Sequence, residues 1–219
     1  MKSQFIVLFF GAVAFFPLSA QERANAMDTY RTGRELEARG RIDEANNYYS
    51  AAVKLCTSEI DNGTATMDTY ATLTWTLQRQ KKYMDVIRWG QMALRIREDY
   101  RIIETMGEAY FYLNDFEASL RNMQRYAANL PQGDRTSVAY FFIGEIYRFQ
   151  KKYHSADIAY TTAVQLEPGI SLWWYRLGTV RESVRDFASA AEAFERALKI
   201  NPSYNEAAEG LNRARKAAI

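Results

Sequence analysis

Residues 137–170 read SVAYFFIGEIYRFQKKYHSADIAYTTAVQLEPGI, and residues 171–204 read SLWWYRLGTVRESVRDFASAAEAFERALKINPSY. Laid over one another, the two stretches agree position by position. Tyr140, Ile143, Gly144, Tyr147, Tyr153, Ala156, Tyr160, Ala163 and Pro168 face Trp174, Leu177, Gly178, Arg181, Phe187, Ala190, Phe194, Ala197 and Pro202, each thirty-four residues on. Only Tyr147 against Arg181 changes size class. A fixed period of this length, with apolar residues at helical spacing and proline after each second run, predicts stacked helix pairs. The small residues have a physical reason. Helices approach to ~8–10 Å only where the facing side chains are small, so Gly144 with Ala156 and Gly178 with Ala190 are the expected contacts. Tyr160 and Phe194 are expected to fill the wider gaps, and Pro168 and Pro202 end their helices.

The period continues upstream in weaker copies. Residues 100–133 hold Ile103, Met106, Gly107, Tyr110, Phe116, Ser119, Met123 and Pro131. Residues 67–99 hold Tyr70, Leu73, Tyr83 and Ala93, with Thr74 and Val86 in place of glycine and alanine. Residues 26–59 hold Gly33, Leu36, Gly40, Ala45, Tyr49 and Ala52. Residues 203–217 form one more amphipathic helix, with Ala208 and Leu211 expected inward. Repeat arrays need such a polar terminal cap.

The pattern strongly resembles the tetratricopeptide repeat, and the resemblance covers nearly all of residues 21–219. It implies an all-α fold, a right-handed α-solenoid of five helix pairs (26–59, 67–99, 100–133, 137–170 and 171–204) closed by a capping helix. The second repeat departs most from the pattern, with Gly90 where an aromatic belongs. A mid-helix glycine costs ~1 kcal/mol relative to alanine, so residues 60–95, which include the polar insertion Asp61 to Thr66, are expected to open first.

The chain opens with Met1-Lys2, an apolar run from Phe5 to Phe16, and Leu18-Ser19-Ala20 before Gln21. A basic start, a short apolar run and a small residue before a polar one describe a secretory signal peptide over residues 1–20. The run is too short to span a bilayer, which takes ~20 residues. Cleavage is expected after Ala20, with Ala24-Asn25-Ala26 as a second site. The mature chain is expected outside the cytoplasm, in a bacterial periplasm.

Chemistry is thinly supplied. A net charge of +2, with both signs mixed along the chain, lacks the basic clustering of a nucleic-acid binder. The single cysteine, Cys56, admits no intrachain disulfide and is expected as a small buried hydrophobe. The single histidine, His154, lies far from it and is expected on the surface. No zinc spacing, phosphate loop or calcium loop occurs. The expectation is a protein without catalytic residues, metal or cofactor.

In the family that this sequence resembles, the first helix of each pair lines a concave groove that receives peptides or helices. Carrying those positions over gives Tyr30 and Arg34 (with Glu37) in repeat one, and Trp75 (with Ala71 and Gln78) in repeat two. Repeat three offers Arg101, Glu104, Glu108 and Phe111; repeat four offers Phe141, Glu145 and Arg148, with Phe149 at the edge. Repeat five offers Tyr175, with Leu172, Thr179 and Glu182. The acids are expected to pair with Arg101 and Arg148. The Lys/Asn/Arg clamp that family members use for a C-terminal carboxylate is not evident. Aromatic anchors with a charged rim are what protein interfaces use, so the expected partner is a segment or helix of another envelope protein. A self-assembling structural subunit and an accessory of a solute transporter are the alternatives.

Overall fold

The computed structural model describes residues 25–219; the signal peptide expected over residues 1–20 lies outside them. Among the described residues stand eleven helices and no strand: α1 (Ala26–Ala38), α2 (Ile42–Asp61), α3 (Met67–Arg79), α4 (Tyr83–Ile96), α5 (Tyr100–Tyr112), α6 (Phe116–Asn129), α7 (Thr136–Phe149), α8 (Tyr153–Leu166), α9 (Ser171–Ser183), α10 (Phe187–Ile200) and α11 (Asn205–Ala217). Each helix packs on the next. The odd helices α1, α3 and α5 also touch the following odd helix, as does α9 with α11. The odd helices therefore line the inner face of an α-solenoid.

Its core is built on rings seated against glycines. A methyl group added to Gly33 would lie 2.6 Å from the Tyr49 ring; on Gly144 it would lie 2.7 Å from Tyr160, and on Gly178 2.7 Å from Phe194. Those three rings are fully enclosed. In these three repeats the glycine of the first helix thus receives the aromatic of the second, and at Gly33 the Ala45 carbonyl lies at 3.4 Å as well. Phe194 serves two glycines, because Gly210 of α11 meets the same ring. In α11 the inward residues are Ala207, Gly210 and Ala214, while Ala208 and Leu211 lie half-buried beside them. The helix sits about one residue away from its expected rotation.

Gly90 corrects the expectation of a gap in repeat two. It is buried, and Met106 and Ile102 of α5 occupy the space an aromatic would fill; a methyl group added to Gly90 would lie 2.6 Å from Met106 Cγ. Its counterpart Thr74 supplies the bulk that glycine lacks, fully buried and with its hydroxyl donating to the carbonyls of Tyr70 and Ala71. Large and small have exchanged sides at this junction.

The turns inside the pairs repeat too. Gly40, Lys81, Asn114, Lys151 and Arg185 all take positive φ, between 57° and 75°. In each turn the following amide reaches back five residues, for example from Lys152 N to Tyr147 O at 2.8 Å and from Asp186 N to Arg181 O at 3.0 Å. These bonds satisfy helix-end carbonyls in the Schellman manner. Side chains other than glycine cost roughly 1–2 kcal/mol in this conformation.

Two substitutions in repeat four therefore have opposite signs. Lys151→Gly stabilises by about 1 kcal/mol, whereas Gly144→Ala overpacks Tyr160 and destabilises by about 1–3 kcal/mol. Equilibrium denaturation of both variants checks this; equal effects would show that the two positions are not distinguished by backbone and packing.

Candidate protein-binding groove

Most of the charge on the inner face is spent between helices. At the α1–α3 junction Arg79 pairs with Glu37 at 2.8 Å, and the Tyr49 hydroxyl donates to the same carboxylate oxygen. Between α3 and α5, Arg101 reaches Asp68 at 2.7 Å and Gln78 donates to Glu108 at 3.0 Å. Arg101 also grips Asp99 at 2.6 Å. Arg176 of α9 brings its Nε within 3.1 Å of Glu145 of α7, close enough for a charge contact but not aligned as a hydrogen bond, where Arg148 and the Tyr160 hydroxyl already bind. Arg213 of α11 closes the series on Glu182 of α9 at 2.9 Å.

The acids of α5 take a partner other than the expected Arg101. Arg135, from the loop between α6 and α7, pairs with Glu104 at 2.9 Å and with Glu108. Its own amide donates to the Tyr126 hydroxyl at 3.3 Å, which ties the loop inward. The signal for this lies in spacing. Gly107 and Gly144 stand three residues further apart than the repeat period, and that excess lengthens the loop carrying Arg135. Glu104 is 4% exposed. Burial, and the Glu108 carboxylate one turn away, push its carboxyl well above the ordinary range in spite of Arg135.

What remains open is a cleft of about 630 Å³ between α1, α3, α5 and that loop. Tyr30 and Trp75 form its apolar part, with ring centroids 6.1 Å apart, and the Arg101 guanidinium sits 5.9 Å from the Trp75 ring. Arg34 lies exposed at the wall; its guanidinium donates to the Tyr30 hydroxyl at 3.2 Å. Unlike the other arginines of the cleft, it enters none of the ion pairs among the described residues. The Gln78 side-chain oxygen, also at the wall, is buried without a hydrogen-bond donor. The cleft can seat an apolar side chain on its rings and an acceptor on Arg34.

The structure thus gathers Tyr30, Arg34, Trp75, Arg101, Glu104 and Glu108 into one cleft. The other groove positions lie elsewhere. Phe111 joins a ring cluster with Phe116, Phe142 and Phe149. Phe141 stacks on Trp173 at 5.2 Å beside the Glu145–Arg148 pair. Tyr175 lies against Tyr204 near the closing helix. Cys56 is buried, and burial raises its thiol to about 12; His154 is exposed.

Two family models for the tetratricopeptide repeat match, one over residues 137–170 and the other over residues 171–204. Residues 137–204 carry two tetratricopeptide repeats. Solved structures of tetratricopeptide proteins share the fold. MamA (residue 41 to the end) from Desulfovibrio magneticus RS-1 is 17% identical with a TM-score of 0.59, over 83% of this chain and 98% of that one. YrrB, described as a TPR protein with an unusual peptide-binding site, is 17% identical with a TM-score of 0.56, over 84% and 91%. The Cut9–Hcn1 hetero-tetramer of the APC/C is 16% identical with a TM-score of 0.61, over 87% of this chain; the match spans 42% of that chain. No curated protein matches the sequence significantly.

The raised carboxyl of Glu104 fixes the sign of a pH effect. The folded chain holds a proton that the unfolded chain releases above about pH 4.5, so this group's contribution to stability falls as pH rises from there. Glu104→Gln removes that slope, and its stability relative to the parent is expected to increase between pH 4.5 and neutrality. Urea denaturation across that range measures it; parallel curves would contradict the assignment.

Proposed function

We propose that the chain is an exported, non-enzymatic scaffold that holds an extended segment or helix of a partner protein in the N-terminal half of its inner face. The carrying observation is the cleft over Tyr30 and Trp75. It combines an aromatic wall of Tyr30 and Trp75 with an arginine, Arg34, outside the ion-pair series. Aromatic rings beside arginine make the strongest anchor points in protein interfaces. Peptide recognition by the same fold in YrrB, and in the first TPR of Spaghetti bound to an HSP90 peptide, is in keeping with this reading.

Export, to a bacterial periplasm, rests on the leader sequence of residues 1–20. The start of α1 favours one of its two cleavage sites. Asn25 caps α1 by accepting the Asp28 amide at 2.8 Å, and Ala26 is buried. A cut after Ala26 removes both, while a cut after Ala20 leaves the helix whole.

Crosslinking capture from native envelopes is the test, comparing the mature protein with Trp75→Ala and Arg34→Glu. One dominant partner is expected, reduced about tenfold or more by either change, and the mature chain is expected to begin at Gln21. Capture that survives both changes in correctly folded protein removes the cleft from the account. A chain that keeps residues 1–20 removes the leader.

A further inference from the structure

A second surface lies outside the cleft, on the edge where the first helix of each pair turns into the second. There, rings from neighbouring repeats stack in a regular way. Tyr83, at the start of α4, stacks on Tyr112 at the end of α5, with centroids 4.9 Å apart and planes 14° apart. One repeat further, Phe116 at the start of α6 stacks on Phe149 at the end of α7, at 5.3 Å and 13°. The helix-start position is apolar in all five repeats, with Ile42, Tyr153 and Phe187 in the others, so Tyr83 and Phe116 belong to the general packing. The helix-end position is not: it holds Ala38, Arg79 and Ser183 elsewhere. The array folds without rings there. Tyr112 and Phe149 are nonetheless 49% and 52% exposed, with Leu113 beside them at 37%.

Positive charge brackets this shelf. Lys81 and Lys82 stand in the turn before it, and Lys151 and Lys152 in the turn after it; all four are exposed. None of the four enters an ion pair among the described residues. Of the nearby acids, Asp85 pairs with Arg88 and Glu117 with Arg121, while Asp115 caps α6 by accepting the Ala118 amide and keeps its charge. The Arg148 guanidinium, itself paired with Glu145, lies 4.5 Å from the Phe149 centroid.

We propose that this edge is a second docking surface, which takes an acidic amphipathic segment of a partner protein. The segment's apolar side chains lie on Tyr112, Leu113 and Phe149, and its carboxylates meet the two lysine pairs. Helices packed at ~8–10 Å put the two pairs roughly 20 Å apart across two repeats. A helix of about a dozen residues spans that distance at 1.5 Å each. The rings stack face to face and present a shelf. A membrane surface calls instead for side chains that enter the headgroup region by ~5–10 Å.

The test pans a phage library of random peptides about a dozen residues long on the intact mature protein and on its Lys82→Glu/Lys152→Glu variant. Both lysines sit at helix N-termini, where acidic residues are favourable, so the variant is expected to melt as the parent does. Peptides retained by the parent and lost from the variant are expected to carry Asp or Glu on both sides of Leu or an aromatic. Phe149→Ala is expected to weaken them about tenfold, and Trp75→Ala to leave them unchanged, which separates this edge from the cleft. The proposal falls if parent and variant select the same peptides, or if the selected peptides are not acidic. It also falls if the variant instead loses cosedimentation with vesicles of phosphatidylglycerol and phosphatidylcholine, because the edge then belongs to lipid.

Discussion

Everything in this structure depends on a large side chain of one helix being pressed against a glycine of its neighbour. Tyr49 on Gly33, Tyr160 on Gly144 and Phe194 on Gly178 set how closely the two helices of a pair approach. That spacing fixes where the first helix of the next pair can lie. The rings are wholly enclosed, so these three units each bury a large side chain without help from distant parts of the chain. Nearest-neighbour contacts then suffice to stack the array. The third repeat uses Met123 against Gly107 for the same purpose. The second exchanges the partners, placing the glycine at residue 90 and the bulk on Thr74 and Met106.

The same packing decides which polar groups are left for other work. Tyr49 and Tyr160 turn their hydroxyls to the inner face and donate them to Glu37 and Glu145. Each of these carboxylates is then met by an arginine of the next first helix, Arg79 or Arg176. The result is a line of ion pairs along the inner face that joins one repeat to the next. Breaking a buried pair from one side is costly, because it leaves a charge without compensation. Glu104, Glu108 and Glu145 therefore belong first to the architecture. The surface left over is aromatic: the cleft over Tyr30 and Trp75, and the shelf of Tyr112 and Phe149.

Much of this was legible in the sequence. Five helix pairs and a closing helix follow from the period, and the strongest copies, at 137–170 and 171–204, are those the family models also match. The inward positions of Trp75, Glu104 and Glu108 follow from the same register. Three things were not legible, each for a physical reason. Arg135 escapes the pattern because it stands in a loop, where the period gives no register. Gly90 looked like a missing ring because its filling comes from Met106, on the following helix. The positive φ of Lys81, Lys151 and Arg185 leaves no mark in residue type, since the turn tolerates lysine and arginine at a modest energetic cost.

That the inner-face charges bind the repeats to one another is the claim on which the choice of open surfaces rests. A double-mutant cycle on Glu145 and Arg176, read by equilibrium denaturation of Glu145→Gln, Arg176→Met and the combined variant, tests it most directly. The account predicts a coupling of about 1–3 kcal/mol between the two sites, on the scale of side chains that share one network. Additive effects would contradict it, and would return Glu145 and Arg176 to the set of residues available to a partner.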